Sequence, residues 1–185
     1  MSLFRVNFQE LYERHLCRHS EYGINAIHLA TVVLSYFAIF GILAKFVHPE
    51  WWLFVVPVPY FLVVAVNLPY RVRGVSIAFA AICLAAFIAI YVAMPWLPIW
   101  LYPILIVVAH QVQSWSHKIY RIERDMTRFK EKYKKGPALF ILLSLYELPI
   151  LLNYLVFDWK SWPASEPSTE PSSSGEIVNV TVGAE

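Results

Sequence analysis

From Leu29 to Ala44 this chain carries no charged side chain, and a series of further apolar blocks follows. A chain built from several such runs in succession has one stable fate. Its runs become helices in a bilayer, where each backbone N–H and C=O is satisfied within its own segment. Composition agrees: hydrophobic residues fill 58% of the 185 positions and charged residues 15%, against about 45–50% and about 25% in a soluble domain. The expected fold is all-α, a polytopic membrane bundle over residues 1–160 with about five crossings. These run from about Asn25 to Phe46, Trp51 to Asn67, Val75 to Met94, Ile99 to Val112 and Gly136 to Phe157. Trp51-Trp52 suits headgroup depth. Pro57 and Pro59 predict a kink in the second span, and Gly136-Pro137 restarts a helix with proline at its first position.

Two helices outside the spans complete the bundle. Residues 1–22 read as an interfacial amphipathic arm, with Phe4, Phe8, Leu11 and Tyr12 on one face. Lys118–Lys135 interleaves Ile119, Ile122, Met126 and Phe129 with cations, the pattern of a basic helix resting on anionic lipid. Residues 161–185, rich in Ser, Pro and Glu, are expected to form a disordered tail. All of the 15 Lys and Arg except Lys45 and Lys160 fall on the arm, in the loop at 69–74, or between the last two spans. Five spans would put these on one side, which the positive-inside rule makes cytoplasmic. The arm is then predicted inside and the tail outside, with Asn179-Val180-Thr181 a lumenal glycosylation sequon in a eukaryote. A net charge of +2 without a basic patch between stacking aromatics excludes nucleic acid. Cys17 and Cys83 stand too far apart in sequence for a metal or redox motif.

The histidines carry the chemistry. His15 and His19 share a face at i,i+4, and His28 lies about 5 Å along a helix from Asn25. His110, Gln113 and His117 form one stripe. All five imidazoles fall at the boundary predicted to be cytoplasmic, and only His48 falls opposite. A headgroup or packing contact is the default for any one of them, but five at one boundary point to a site. Imidazole suits iron, zinc and copper. With neither a cysteine pair nor paired carboxylates, a histidine-rich iron site is the natural choice. Glu147, alone in the last span, is a functional hypothesis by default, while Asn25, Asn67 and Asn153 read as interhelical hydrogen-bonding groups.

His19 and His28, with eight residues between them and Asn25 just before the second, resemble the opening motif of the membrane 2-hydroxy fatty acid dioxygenases. Gln113-Ser-Trp-Ser-His117 and Lys134-Lys135-Gly136-Pro137-Ala138-Leu139 are similar to the second half of that family's pattern. His15, in Tyr12-Glu-Arg-His15, competes with His19 for the first position. Where the family has a Glu four residues after its histidine this chain has Arg121, and Glu123 stands nearby as its substitute. The resemblance covers about residues 8–157. It implies an Fe(2+)-dependent, dioxygen-consuming oxidation of a 2-hydroxy fatty acid to a product one carbon shorter. The compartment would be the endoplasmic reticulum of a eukaryote, or the inner membrane of a bacterium. His19, His28 and His117 then head the ligand pool and His110 joins them by its stripe. Gln113, Arg121 and Glu123 are the candidate catalytic residues, Arg121 as a contact for the substrate carboxylate.

Two rival classes remain open on the sequence alone. One is a b-type haem protein with His28 and His110 as axial ligands. The other is a non-catalytic membrane protein that shapes lipid or scaffolds partners through its basic helix.

Overall fold

The computed structural model describes residues 7–46, 51, 55–120, 127–132 and 136–158. Every regular element among them is helical: α1 (Phe8–Leu16), α2 (Tyr22–Phe46), α3 (Pro57–Asn67), α4 (Tyr70–Ala93), α5 (Leu101–Ile119), α6 (Thr127–Lys132) and α7 (Pro137–Leu152), which runs on into a π-helical turn, Asn153–Phe157. The tail at 161–185, Phe4, His48, Arg121, Glu123, Lys134 and Lys135 lie outside the described residues.

Three helices are long and apolar enough to cross a membrane, Tyr22–Phe46, Tyr70–Ala93 and Leu139–Phe157. The expected count of about five is not met on that measure. The 11 residues of α3 rise about 17 Å, roughly half a hydrocarbon core of about 30 Å. The 19 residues of α5 are long enough, but His110, Gln111, Gln113 and His117 crowd their second half. Boundaries shift as well. Pro57 and Pro59 occupy the first turn of α3, where a helix start has no N–H partner to lose, and a turn at Val56 precedes them. The basic loop expected at 69–74 shrinks to Leu68-Pro69, and Arg71 and Arg73 become the first turn of α4.

Helix α5 lies antiparallel against α2. A Cβ on Gly41 would run into the Tyr102 ring, and one on Gly23 into the Tyr120 hydroxyl. The two glycines lie about five turns apart at 3.6 residues per turn, and so do the two tyrosines. Each pair therefore repeats on one face and fixes the register at both ends. This is the small-residue packing by which helices associate in lipid, where apolar burial alone gives no preference between a helix and an acyl chain. Substituting Gly41→Leu is expected to lower the thermal unfolding midpoint in detergent, at a cost of about 1–3 kcal/mol for forced overpacking. Nothing lies within 4 Å of a Cβ on Gly74, so Gly74→Ala should be neutral or mildly stabilising. Equal midpoints for Gly41→Leu and Gly74→Ala would show that the close approach does not hold the pair.

Helix α4 runs parallel to α2: Phe87 packs on Phe37 at 5.4 Å and on Phe40 at 5.7 Å, and the Tyr91 hydroxyl donates to Ala44 O. The outward faces of α3, α4 and α5 carry exposed apolar side chains such as Leu62, Val66, Ile82, Ile90, Val92 and Val107, as a lipid-facing surface requires. Asn67, read as an interhelical group, donates instead to Val63 O of its own helix.

Helix α1 begins at Asn7, whose side chain accepts from Glu10 N–H. Phe8, Leu11, Tyr12 and His15 recur at helical spacing and form its buried face. That face docks on protein, among Val64, Leu68, Val72, Leu142, Tyr146 and Tyr154, so the arm is clamped beneath the bundle. The end of α7 returns to the same place. Tyr12 donates its phenol to Asp158 Oδ2 at 2.8 Å, and Tyr154 donates to Ser20 O at 2.7 Å. These polar partners hold residues 154–158 at the arm's end; the tail expected on the opposite side lies outside the described residues. The described cations mostly gather at that end too. Arg14 stacks on Phe129 of α6 at 4.4 Å and Arg71 on Phe157 at 5.2 Å. Lys45 bonds Pro95 O at the other end.

Candidate metal centre

The pairing of α2 with α5 and the clamping of α1 bring three imidazoles together. His28 comes from the second turn of α2, His117 from the last turn of α5, and His19 from the short link between α1 and α2. Ring centroids lie 4.5 Å apart for His19–His28, 4.7 Å for His19–His117 and 5.1 Å for His28–His117. One ligand nitrogen from each lies within 4.8 Å of the others. That is slightly more than two metal–nitrogen bonds of about 2.0–2.1 Å end to end, so small ring rotations would close the set on a common ion.

The hydrogen bonds around the rings decide which nitrogen each presents. Asn25, fully buried, donates its amide to His19 O and to Glu21 O, both at 2.7 Å. Its oxygen is therefore the atom facing His15, and His15 Nε2–H donates to it at 2.8 Å. His15 O in turn accepts from His19 Nδ1–H at 3.3 Å. On the third ring, His28 Nδ1–H donates to Glu147 Oε1 at 3.3 Å. A ring that is neutral and protonated at Nδ1 has its lone pair at Nε2. The Nε2 atoms of His19 and His28 are both buried and without a hydrogen-bond partner. Two buried lone pairs left unsatisfied beside a third imidazole are costly, and a cation would satisfy them.

His15 stacks on His19 with ring centroids 4.1 Å apart and planes within 7°. It thus reaches the centre as a support for His19, with its Nε2 committed to Asn25. Burial pushes the His15 imidazole down to about 3, the Asn25 bond opposing that shift only in part. His19 is driven well below the usual imidazole range, first by burial and then by the neighbouring His15, His28 and His117. Both are neutral at pH 7, the state in which an imidazole can ligate.

Among the sequence-predicted residues, His19, His28 and His117 converge. His110 does not: it shares the stripe of His117 but lies about 10.5 Å back along α5 at 1.5 Å per residue, on an exposed surface. The haem reading pairs His28 with His110, whereas the structure groups His28 with His19 and His117. Gln113 is half-buried one turn before His117, and its carbonyl accepts from Ser116. Glu147 was legible in the sequence as a carboxylate without an evident partner; that partner is His28. Asn25, read as an interhelical hydrogen-bonding group, does bond His15 of α1; its two carbonyl partners were not legible, because they belong to the link. The three nitrogen donors fit iron(II), and the same set also suits zinc, copper or nickel. Set against protein-family models, curated proteins and solved structures, the chain matches none.

Proposed function

We propose that the chain is an iron(II)-dependent dioxygenase acting on 2-hydroxy fatty acids at one face of a membrane. The observation that carries this reading is the pair of buried, unpartnered Nε2 atoms of His19 and His28 beside His117. A centre with three imidazole donors keeps coordination positions open for substrate and dioxygen. Bound iron(II) supplies the redox chemistry that activates dioxygen. The chain's own residues do the rest: Asn25 and Glu147 hold the rings, and the packed arm limits water. The site lies at the end of apolar helices, so an acyl chain can remain in lipid while its polar head reaches the imidazoles. In the overall change, the hydroxyl-bearing carbon becomes the new carboxyl and the old carboxyl leaves as carbon dioxide. One dioxygen is consumed and one water formed.

The membrane arrangement belongs to the same proposal. Helix α5 spans the depth of α2 between its two glycine contacts, so it crosses where α2 crosses. Because α2 and α4 run parallel, the segment joining them must return between the two membrane faces, which gives an even number of crossings with α7 folded against the arm's end. The cations gathered at that end make it cytoplasmic by the positive-inside rule, in the endoplasmic reticulum of a eukaryote or the inner membrane of a bacterium.

Protein purified in detergent, reconstituted anaerobically with iron(II) and given a long-chain 2-hydroxy fatty acid, is expected to take up dioxygen. Mass spectrometry should show the acid one carbon shorter, and the parent acid lacking the hydroxyl should give neither result. Stoichiometric iron with no oxygen uptake would leave a metal centre of another activity. Protein that takes up no metal at all would return the chain to the class of lipid-shaping or scaffold proteins.

A further inference from the structure

Glu147 sits in α7, within the most buried of the three long apolar helices, Leu139–Phe157, where a carboxylate is costly and is a functional hypothesis by default. Its partner is His28 Nδ1, at 3.3 Å from Oε1. An ionised carboxylate can only accept, so this contact requires the proton on Nδ1 and leaves the lone pair on Nε2. That Nε2 is buried and unpartnered among the described residues, on a ring whose centroid lies 4.5 Å from His19 and 5.1 Å from His117. The geometry points to Glu147 as the positioning residue of the metal centre, which fixes the tautomer and orientation of His28 from a different helix. The inference rests on the metal-centre reading above and adds a residue to it.

Two consequences set this role apart from a simple tie between α7 and α2. A carboxylate bonded to the far nitrogen raises the basicity of a ligating imidazole, and removing such a partner typically lowers metal affinity by about 10–100-fold. A tie alone would affect stability and leave affinity and tautomer unchanged. Glutamine separates charge from geometry, since its amide oxygen still accepts from Nδ1–H but carries no charge.

The test uses the full chain in detergent, as wild type, Glu147→Ala and Glu147→Gln. Each is titrated with cobalt(II) against a chelator, and the His28 tautomer is read by nitrogen NMR on histidine-labelled protein. Wild type should hold the Nδ1–H tautomer. Glu147→Ala should bind cobalt(II) about 10–100-fold more weakly and lose that tautomer, while Glu147→Gln should keep the tautomer with a smaller loss of affinity. If the alanine variant does not fold, weaker binding by the glutamine variant supports the role and unchanged binding overturns it. A folded alanine variant that binds as tightly as wild type overturns the role of Glu147 alone. Wild-type protein that takes up no cobalt(II) overturns the centre itself, and this role with it.

Discussion

Protein carrying His117→Ala is expected to emerge folded, correctly inserted and free of metal. The ring contributes one of three donors and makes no hydrogen bond that holds the backbone. Its loss leaves two nitrogens, and the affinity should fall by more than the factor of about 100 that marks the upper range for losing a mere hydrogen-bond partner. His28→Ala removes a donor too, but it strands the Glu147 carboxylate, half-exposed on one side and pressed against α2 on the other. An unpaired charge there costs stability in its own right. His28→Gln is the cleaner variant, since its amide can still donate to Glu147 while offering no imidazole lone pair. His110→Ala is the internal control on the same helix as His117, exposed and about two turns away. His15→Ala should fall between these extremes, because His15 supports His19 through stacking and through the Asn25 bond. Metal content by mass spectrometry, read beside an unfolding midpoint, decides the matter. A His117→Ala protein that keeps its metal, or a His110→Ala protein that loses it, would sink the three-histidine centre.

The contrast between His110 and His117 shows how far sequence periodicity reaches. Two residues seven apart share a face, which the sequence shows plainly, but they stand about 10.5 Å apart along the axis. A face is not a site until partner side chains meet it, and His19 and His28 stand at the level of His117. The level is set by Gly23 under Tyr120 and Gly41 under Tyr102. Those matched spacings are present in the sequence, yet nothing in a linear pattern says which glycine faces which aromatic. The apolar blocks were legible because a bilayer admits so few solutions. The helix restart at Pro137 was legible because proline loses nothing at a first turn. The number of crossings was less so. Apolarity reports what solvent a segment tolerates, and α3, at about 17 Å, is as apolar as the longer helices beside it. Where α7 ends is decided by a few polar atoms, and hydropathy averages them away.

Those polar atoms make the position of the tail the sharpest remaining test, because the outcome is all or none. Asp158 accepts from Tyr12 at 2.8 Å, Tyr154 donates to Ser20 O at 2.7 Å, and the Phe157 ring lies under Arg71 at 5.2 Å. All three ties reach segments at the arm's end of the bundle. A tail on the opposite side would have to carry Asp158 across a hydrocarbon core of about 30 Å, breaking every one of them. The protein supplies its own reporter for the arm, since Cys17, half-buried and donating to Glu13 O at 3.4 Å, carries its thiol there. With Cys83 replaced by alanine, Cys17 reports the arm. Removing both cysteines and adding Ser173→Cys reports the tail, and Trp96→Cys, at an exposed position beyond α4, reports the far end. In sealed vesicles a membrane-impermeant maleimide is expected to reach the arm and tail probes from the same side, and Trp96→Cys only from the other. The Asn179 sequon should then stay unmodified when the chain is inserted into endoplasmic reticulum membranes with its arm in the cytosol. Labelling of Ser173→Cys together with Trp96→Cys would mean that α7 crosses completely. The Tyr12–Asp158 bond could not then exist, and the arm would have lost one of the contacts that hold His15 and His19 beneath the bundle.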